Sequence, residues 1–185
     1  MKILIATPLK LGMSGKFLNG LVPVLRHLPY DFITVEGPCV NFARNVIAQK
    51  AVDGYDGLVQ IDEDVRWSLD HLTRLLSHAD KADIVAGIYP SKGEGRTLYH
   101  SVPYEGDEPL GLVPCKWVPT GFLYTSTRAL KAIRDCNTDR WFNQMEGSDE
   151  KTSPRMEWFP MGIVGEGTAS ARLDRIKGIL SLLPR

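Results

Sequence analysis

The chain has 185 residues, 43% of them hydrophobic and 24% charged. That is enough for one sizeable core and too few for two comfortable domains, so a single domain over residues 1–185 is expected. The 22 basic and 22 acidic residues cancel, which removes the electrostatic case for bulk binding to DNA or RNA, though not for a local patch.

Met1 to Pro8 is apolar over too short a run for a signal peptide. No segment approaches the roughly 20 apolar residues of a membrane-spanning helix. Ile3 to Ala6 is a continuous apolar run, the mark of a buried parallel strand, and Thr7-Pro8 ends it. Ser14 is placed to cap a helix carrying Phe17, Leu18, Leu21, Val22 and Leu25. Pro23 sits awkwardly inside it and predicts a kink or an early end. Phe32 to Val35 reads as a second strand. Asn41 starts the next helix, with Ala43, Val46, Ile47 and Ala51 inward, and Asp53-Gly54 turns out of it. Leu58 to Ile61 is a third strand. Ser68 caps a helix with Leu69, Leu72, Leu75 and Leu76, and Asp83 to Gly87 is a fourth strand. This alternation predicts a mostly parallel α/β sheet with helices on both faces.

The second half differs. Thr97 to Val102 and Leu110 to Val118 suggest strands joined by a turn rich in Gly, Asp, Glu and Pro, a small antiparallel part. Phe122 to Thr125 follows the turn Pro119-Thr120-Gly121, and Thr127 caps a helix through Leu130 and Ile133. Residues 137–155 are polar without periodicity and read as a long loop. Arg172 to Arg185 carries Leu173, Ile176, Leu180 and Leu183 at helical spacing among basic residues. Such a helix packs on its own domain or on a twin subunit, or lies on a membrane surface. A homo-oligomer is therefore one expectation.

The three cysteines, Cys39, Cys115 and Cys136, are odd in number and far apart. They fit a reducing compartment and carry no metal-ligand spacing. The expected location is cytoplasmic, with a peripheral membrane contact through the last helix as the variant reading.

The segment most informative about chemistry is Gly57-Leu58-Val59-Gln60-Ile61-Asp62-Glu63-Asp64, a buried strand ending in three acidic residues. A strand delivers side chains with a period of two, so Asp62 and Asp64 leave its end pointing roughly the same way. Two such carboxylates repel unless something positive lies between them. Mg²⁺ or Mn²⁺ suits the position, since either takes one or two carboxylates plus substrate phosphates. The plainer reading is a solvated acidic turn. In parallel α/β sheets ligands bind at the carboxyl ends of strands, where both Thr7-Pro8 and the acidic triplet fall.

Four segments act together: Asn41-Phe42-Ala43-Arg44-Asn45, Ile61-Asp62-Glu63-Asp64-Val65-Arg66-Trp67, Asp83-Ile84-Val85-Ala86-Gly87-Ile88-Tyr89-Pro90-Ser91-Lys92, and Val118-Pro119-Thr120-Gly121-Phe122. In this order and spacing the chain resembles glycosyltransferases of the GT-A fold, of the short family-2-like type of bacteria and phages. The likeness covers roughly residues 1–135, with a fainter match at Trp158-Phe159-Pro160-Met161-Gly162-Ile163. It implies a GT-A-like (Rossmann-like) sheet, with residues 1–92 as the nucleotide-binding half and residues 93–185 as the acceptor half.

The resemblance also implies roles. Thr7 and Pro8 would line the base pocket, and Arg44 would reach the nucleotide or its phosphates. Asp62 would face the ribose or the outer shell of the metal, and Asp64 would coordinate Mn²⁺ or Mg²⁺. Glu63 belongs to the same nucleotide-binding turn but would point the other way, in a structural role. Trp67 is a sugar-facing wall or, by a slight preference, core. Tyr89 and Lys92 would shape the pocket floor. Thr120 and Gly121 would sit beside the transferred sugar, where a missing side chain permits close approach. The implied activity is transfer of a sugar from a nucleotide-sugar, a UDP-sugar by resemblance, with inversion.

The chain departs from the pattern late. Where family members carry a Glu-Asp pair, this sequence has Ile163-Val164-Gly165-Glu166-Gly167-Thr168-Ala169-Ser170. Glu166 is the candidate base by position, with Asp149, Glu150 and Glu157 as alternatives. No histidine follows His100, so metal binding would rest on Asp64, phosphates and water alone. The acceptor stays open between a glycan, a lipid-linked sugar, a protein and a modified DNA base. Two other functions compete. A truncated domain that binds a sugar nucleotide or a protein without turnover would explain the missing pair. A nucleotidyltransferase shares an α/β core, but Leu9 to Lys16 lacks the spacing of a phosphate loop.

Overall fold

Ile3–Leu9 forms the first strand, β1, of a computed structural model that describes residues 1–89, 102–103, 112–113, 115–136, 141–146 and 151–156. Helix α1 (Gly15–His27), strand β2 (Asp31–Glu36), helix α2 (Val40–Gly54), strand β3 (Gly57–Ile61), helix α3 (Leu69–Leu76) and strand β4 (Ile84–Ala86) follow in turn. After them come the short pair β5 (Val102–Pro103) and β6 (Cys115–Trp117), strand β7 (Phe122–Ser126), helix α4 (Thr127–Cys136), and the strands β8 (Trp141–Glu146) and β9 (Lys151–Met156).

Five strands make the main sheet in the order β2-β1-β3-β7-β4. β1 pairs in parallel with both β2 and β3, while β7 runs antiparallel between β3 and β4. The sheet is therefore mixed α/β and mostly parallel, with a single inserted antiparallel strand. Alternation along β1 divides the core. Ile3 and Ile5 join Phe17, Leu21, Trp67, Leu72 and Phe122 on the face covered by α1 and α3. Leu4 and Ala6 join Ile47, Ala48, Leu58 and Leu130 on the face covered by α2 and α4. A strand buried on both faces must be apolar at every position, which is why Ile3 to Ala6 shows no alternation in the sequence.

Several expectations need correction. Thr7-Pro8 does not end β1, which continues to Leu9. Pairing with β3 stops at Ala6, whereas pairing with β2 runs on to Leu9. Pro8 thus sits where β1 has a neighbour on one side only, the situation in which a strand tolerates proline. Ser14 does cap α1, its hydroxyl accepting from the Phe17 amide at 3.1 Å, but Pro23 does not shorten the helix. The buried face of α1 is Phe17, Gly20, Leu21 and Val24. Leu18, Val22 and Leu25 are turned outward, 39%, 42% and 51% exposed. Gly20 decides this orientation: a Cβ there would lie 2.7 Å from the Trp67 carbonyl oxygen and 2.8 Å from its ring. Helix α2 begins at Val40, one residue before the expected start at Asn41, and is capped by the Cys39 sulfur.

The expected loop over residues 137–155 contains an antiparallel hairpin instead, with Trp141 opposite Met156 and Glu146 opposite Lys151. The pairing is made by backbone groups whatever the side chains are, so the sequence of this stretch need show no apolar period. β5 and β6 pair antiparallel as expected. Residues 97–101, 110–111 and 114, and the terminal segment 172–185, lie outside the described residues. Among the described residues no helix is long and apolar enough to cross a membrane.

Candidate functional site

β2 lies on one side of β1 and β3 on the other. The sheet therefore changes its direction of growth between β1 and β3, and a crevice opens at the carboxyl ends of strands flanking such a switch point. The acidic turn follows β3 at this edge. Leu58 packs on the α2 side, and the strand period carries Gln60 and Asp62 to the same side. There Arg44, early in α2, donates from Nη2 to Asp62 Oδ1 at 2.7 Å. Its side chain is 9% exposed and that of Asp62 29%. Burial pushes the Asp62 carboxyl above its ordinary value. The charge and hydrogen bond of Arg44 pull the other way, and Asp64 and Glu63 add repulsion, so the net direction is upward.

Asp62 is also tied by its backbone, its amide donating to the Gly121 carbonyl at 2.9 Å. The Gly121 amide in turn donates to the Tyr89 hydroxyl at 3.0 Å. A Cβ on Gly121 would stand 2.2 Å from the Tyr89 hydroxyl and 3.1 Å from Asp62 Oδ2. The space that a side chain would occupy is thus taken by Tyr89 and Asp62, which is why glycine is required here. Tyr89 is half-buried, and desolvation raises its pKa. Thr120, also half-buried, lies in the bend just before β7.

Glu63 faces away from this group. Its carboxylate accepts from the amides of Lys10 (2.8 Å), Leu11 (3.3 Å) and Gly12 (3.4 Å) in the loop between β1 and α1. Gly12 has φ +111°, a conformation open to glycine and strained for other residues. The side chain of Glu63 therefore organises the loop, in line with the structural half of the expectation. Asp64 is exposed at the turn.

Thr7 and Pro8 are both buried within β1, and the Thr7 hydroxyl has no hydrogen-bond partner. Gln60 is 1% exposed, with neither amide atom partnered. Sequence reasoning passed over Gln60, although a polar residue inside the apolar run Leu58-Val59-Gln60-Ile61 was the available signal. It also missed that Arg44 and Asp62 hold each other. Trp67 is core, 4% exposed and edge-on to Phe17 at 5.7 Å. Glu166, Asp149, Glu150, Glu157 and Lys92 lie outside the described residues.

The residues present fit a divalent ion in one limited way. Asp64 and the second oxygen of Asp62 supply two carboxylates, the usual protein share for Mg²⁺ or Mn²⁺. No group of three or more His, Cys, Asp or Glu side chains converges among the described residues, so phosphate and water would complete the shell. A cleft of about 480 Å³ beside Tyr55, Asp56 and α4 lies at the opposite edge of the sheet. Its Arg128 is already paired with Asp83, and it contributes nothing to this site.

No protein-family model matches the chain, and no curated protein matches it in sequence. Among solved structures the chain is similar to the crystal structure of A197 from STIV, at TM-score 0.51 and 17% identity, over 71% of this chain and 68% of that one. A likeness at that identity speaks to the fold alone, and it agrees with a helix-flanked, mostly parallel α/β sheet.

Proposed function

We infer that the chain is a metal-dependent glycosyltransferase of GT-A type, taking a sugar from a nucleotide-sugar, a UDP-sugar by preference. The observation that carries the reading is the position of the acidic turn. A half-buried Asp62 and an exposed Asp64 stand at the carboxyl end of β3, at the switch point, with Arg44 and Gly121 locked onto Asp62. In this reading Asp64 and Asp62 hold Mn²⁺ or Mg²⁺ against the donor diphosphate. When bound, the ion would neutralise the charge of the departing diphosphate. Arg44 orients Asp62 and favours its ionised form against the burial that disfavours it, and its guanidinium is the group a phosphate would share. Tyr89 holds Gly121 against the turn. Gln60 and Thr7 offer unpartnered polar atoms near the same strand ends. The base that deprotonates the acceptor is assigned to Glu166, with Asp149 and Glu150 as alternatives, and the transfer inverts by single displacement.

The test is a thermal-shift panel of UDP, GDP, CDP and dTDP, with and without Mn²⁺, on the wild type and Asp64→Ala. A ligand that binds only the folded state raises its melting temperature. The expected result is a Mn²⁺-dependent shift with UDP that disappears in Asp64→Ala. No shift with any nucleotide would overturn the reading. A shift without turnover at saturating donor would leave a binding module in place of an enzyme.

A further inference from the structure

Gln60 is a polar residue inside an apolar strand. The period of β3 puts Val59 and Ile61 with the core under α1 and α3, and Leu58 with the core under α2 and α4. Gln60 and Asp62 therefore fall on the α2 side with Leu58. Across the sheet Gln60 lies in register with Ala6 of β1 and Leu123 of β7, neither of which has a polar side chain. It is 1% exposed, and both its amide nitrogen and its amide oxygen lack a hydrogen-bond partner. A buried amide in that state is rare and costs stability. An apolar side chain would fill the same place without that cost, so packing alone gives no reason for glutamine here.

The amide is closed off from solvent, so it acts on a neighbouring side chain and not directly on a ligand. The other unpartnered group at these strand ends, the Thr7 hydroxyl, falls by the period of β1 with Ile3 and Ile5 on the opposite face. That removes it as a partner. The neighbour on the face of Gln60 itself is Asp62, about 7 Å along the strand between Cα atoms, an interval a glutamine side chain can span. In this structure Asp62 Oδ1 is held by Arg44 Nη2 at 2.7 Å, while Oδ2 lies towards Gly121. Arg44 reaches Asp62 from α2 on this same side of the sheet.

We propose that Gln60 is a positioning residue of the donor site, its amide nitrogen donating to Asp62 Oδ1 when the Arg44 guanidinium turns to the donor phosphate. A guanidinium shared with a phosphate loosens its hold on the carboxylate at the step when the ion needs that carboxylate fixed. Carboxylates that hold metals are themselves held by hydrogen bonds, and losing those bonds weakens metal binding. A glutamine amide carries two donors, an acceptor and no charge. It can therefore replace the hydrogen bond of the guanidinium without setting a cation against the ion. The role at the donor site rests on the glycosyltransferase reading; the exchange of Arg44 for Gln60 at Asp62 does not.

Urea unfolding of the wild type, Gln60→Leu, Arg44→Met and Gln60→Leu/Arg44→Met tests the exchange without any ligand. Gln60→Leu is expected to raise the urea midpoint in the wild-type background, where the amide has no partner. It is expected to lower the midpoint in the Arg44→Met background, where the amide has gained Asp62. The same sign in both backgrounds overturns the proposal, since a residue that only fills space acts alike in each. Gln60→Met repeats the comparison with an unbranched side chain, in case leucine does not fit. The side-chain amide signal of Gln60 in NMR, assigned by its loss in Gln60→Leu, is expected to move in Arg44→Met, and an unmoved signal also overturns the proposal. With ligand, Gln60→Leu is expected to weaken Mn²⁺-dependent UDP binding by about tenfold, and unchanged affinity overturns the positioning role. A wild type that shows no UDP shift overturns the donor site, while the unfolding comparison still decides the exchange, so the two failures are told apart.

Discussion

Arg44→Met removes a guanidinium while keeping much of its aliphatic bulk, and so isolates the charge held against Asp62. In the wild type burial raises the Asp62 pKa, and Arg44 alone among its neighbours lowers it. Without Arg44 the carboxyl moves further up. A carboxyl whose folded pKa exceeds its unfolded value binds its proton more tightly in the fold. Its ionised form therefore weighs against folding above the folded pKa, and that burden lifts as the pH falls through it. Breaking a fully buried pair costs about 3–5 kcal/mol. Asp62 keeps 29% of its side chain in solvent, so screening reduces the expected loss to about 2 kcal/mol near neutral pH. Urea unfolding of both proteins at a series of pH values falling from neutral through the carboxylate range reads the effect. The gap should shrink as the pH falls, and Arg44→Met/Asp62→Asn should recover part of it. A gap that stays constant or widens on acidification would refute the reasoning and leave Arg44 as a packing residue.

Three further outcomes are expected. Gly121→Ala would set a methyl 2.2 Å from the Tyr89 hydroxyl and should cost about 1–3 kcal/mol. Adding Tyr89→Phe should return part of the lost melting temperature, and purely additive losses would argue against that contact. Glu63→Gln keeps an acceptor but loses the charge that three loop amides share. Hydrogen exchange at Lys10 and Leu11 should quicken by about tenfold, and unchanged protection would mean the loop is held by other means. Gly20→Ala raises helix propensity by about 1 kcal/mol, yet it should lower the melting temperature because its Cβ meets Trp67 at 2.7–2.9 Å. A stabilised variant would show that the close α1–Trp67 seat is wrong.

The apolar run of β1, the Ser14 and Ser68 caps and the strand ending at Asp62 were legible in the sequence. Each depends on interactions within a few residues: side-chain period, a hydroxyl reaching an amide three positions on, and a stretch with no polar residue to expose. The candidate acidic turn could be located the same way, because a strand followed by acids needs no distant partner to be recognised. What Asp62, Glu63 and Asp64 each do could not be read so. Asp62 is bound by Arg44, 18 residues away, and Glu63 by amides 51 to 53 residues away. Glycine at 121 could be read as open space for a sugar until Tyr89 was found filling it. The outward face of α1 and the β8–β9 hairpin were misjudged for the same reason. One was set by the seat of Gly20 on Trp67, the other by backbone pairing that leaves no periodic trace. Sequence by itself therefore determined which segments are strands and helices over the first half and where the acids fall. Tertiary structure alone decided which carboxylate Arg44 holds and which one braces a loop, because those choices rest on contacts between residues far apart in the chain.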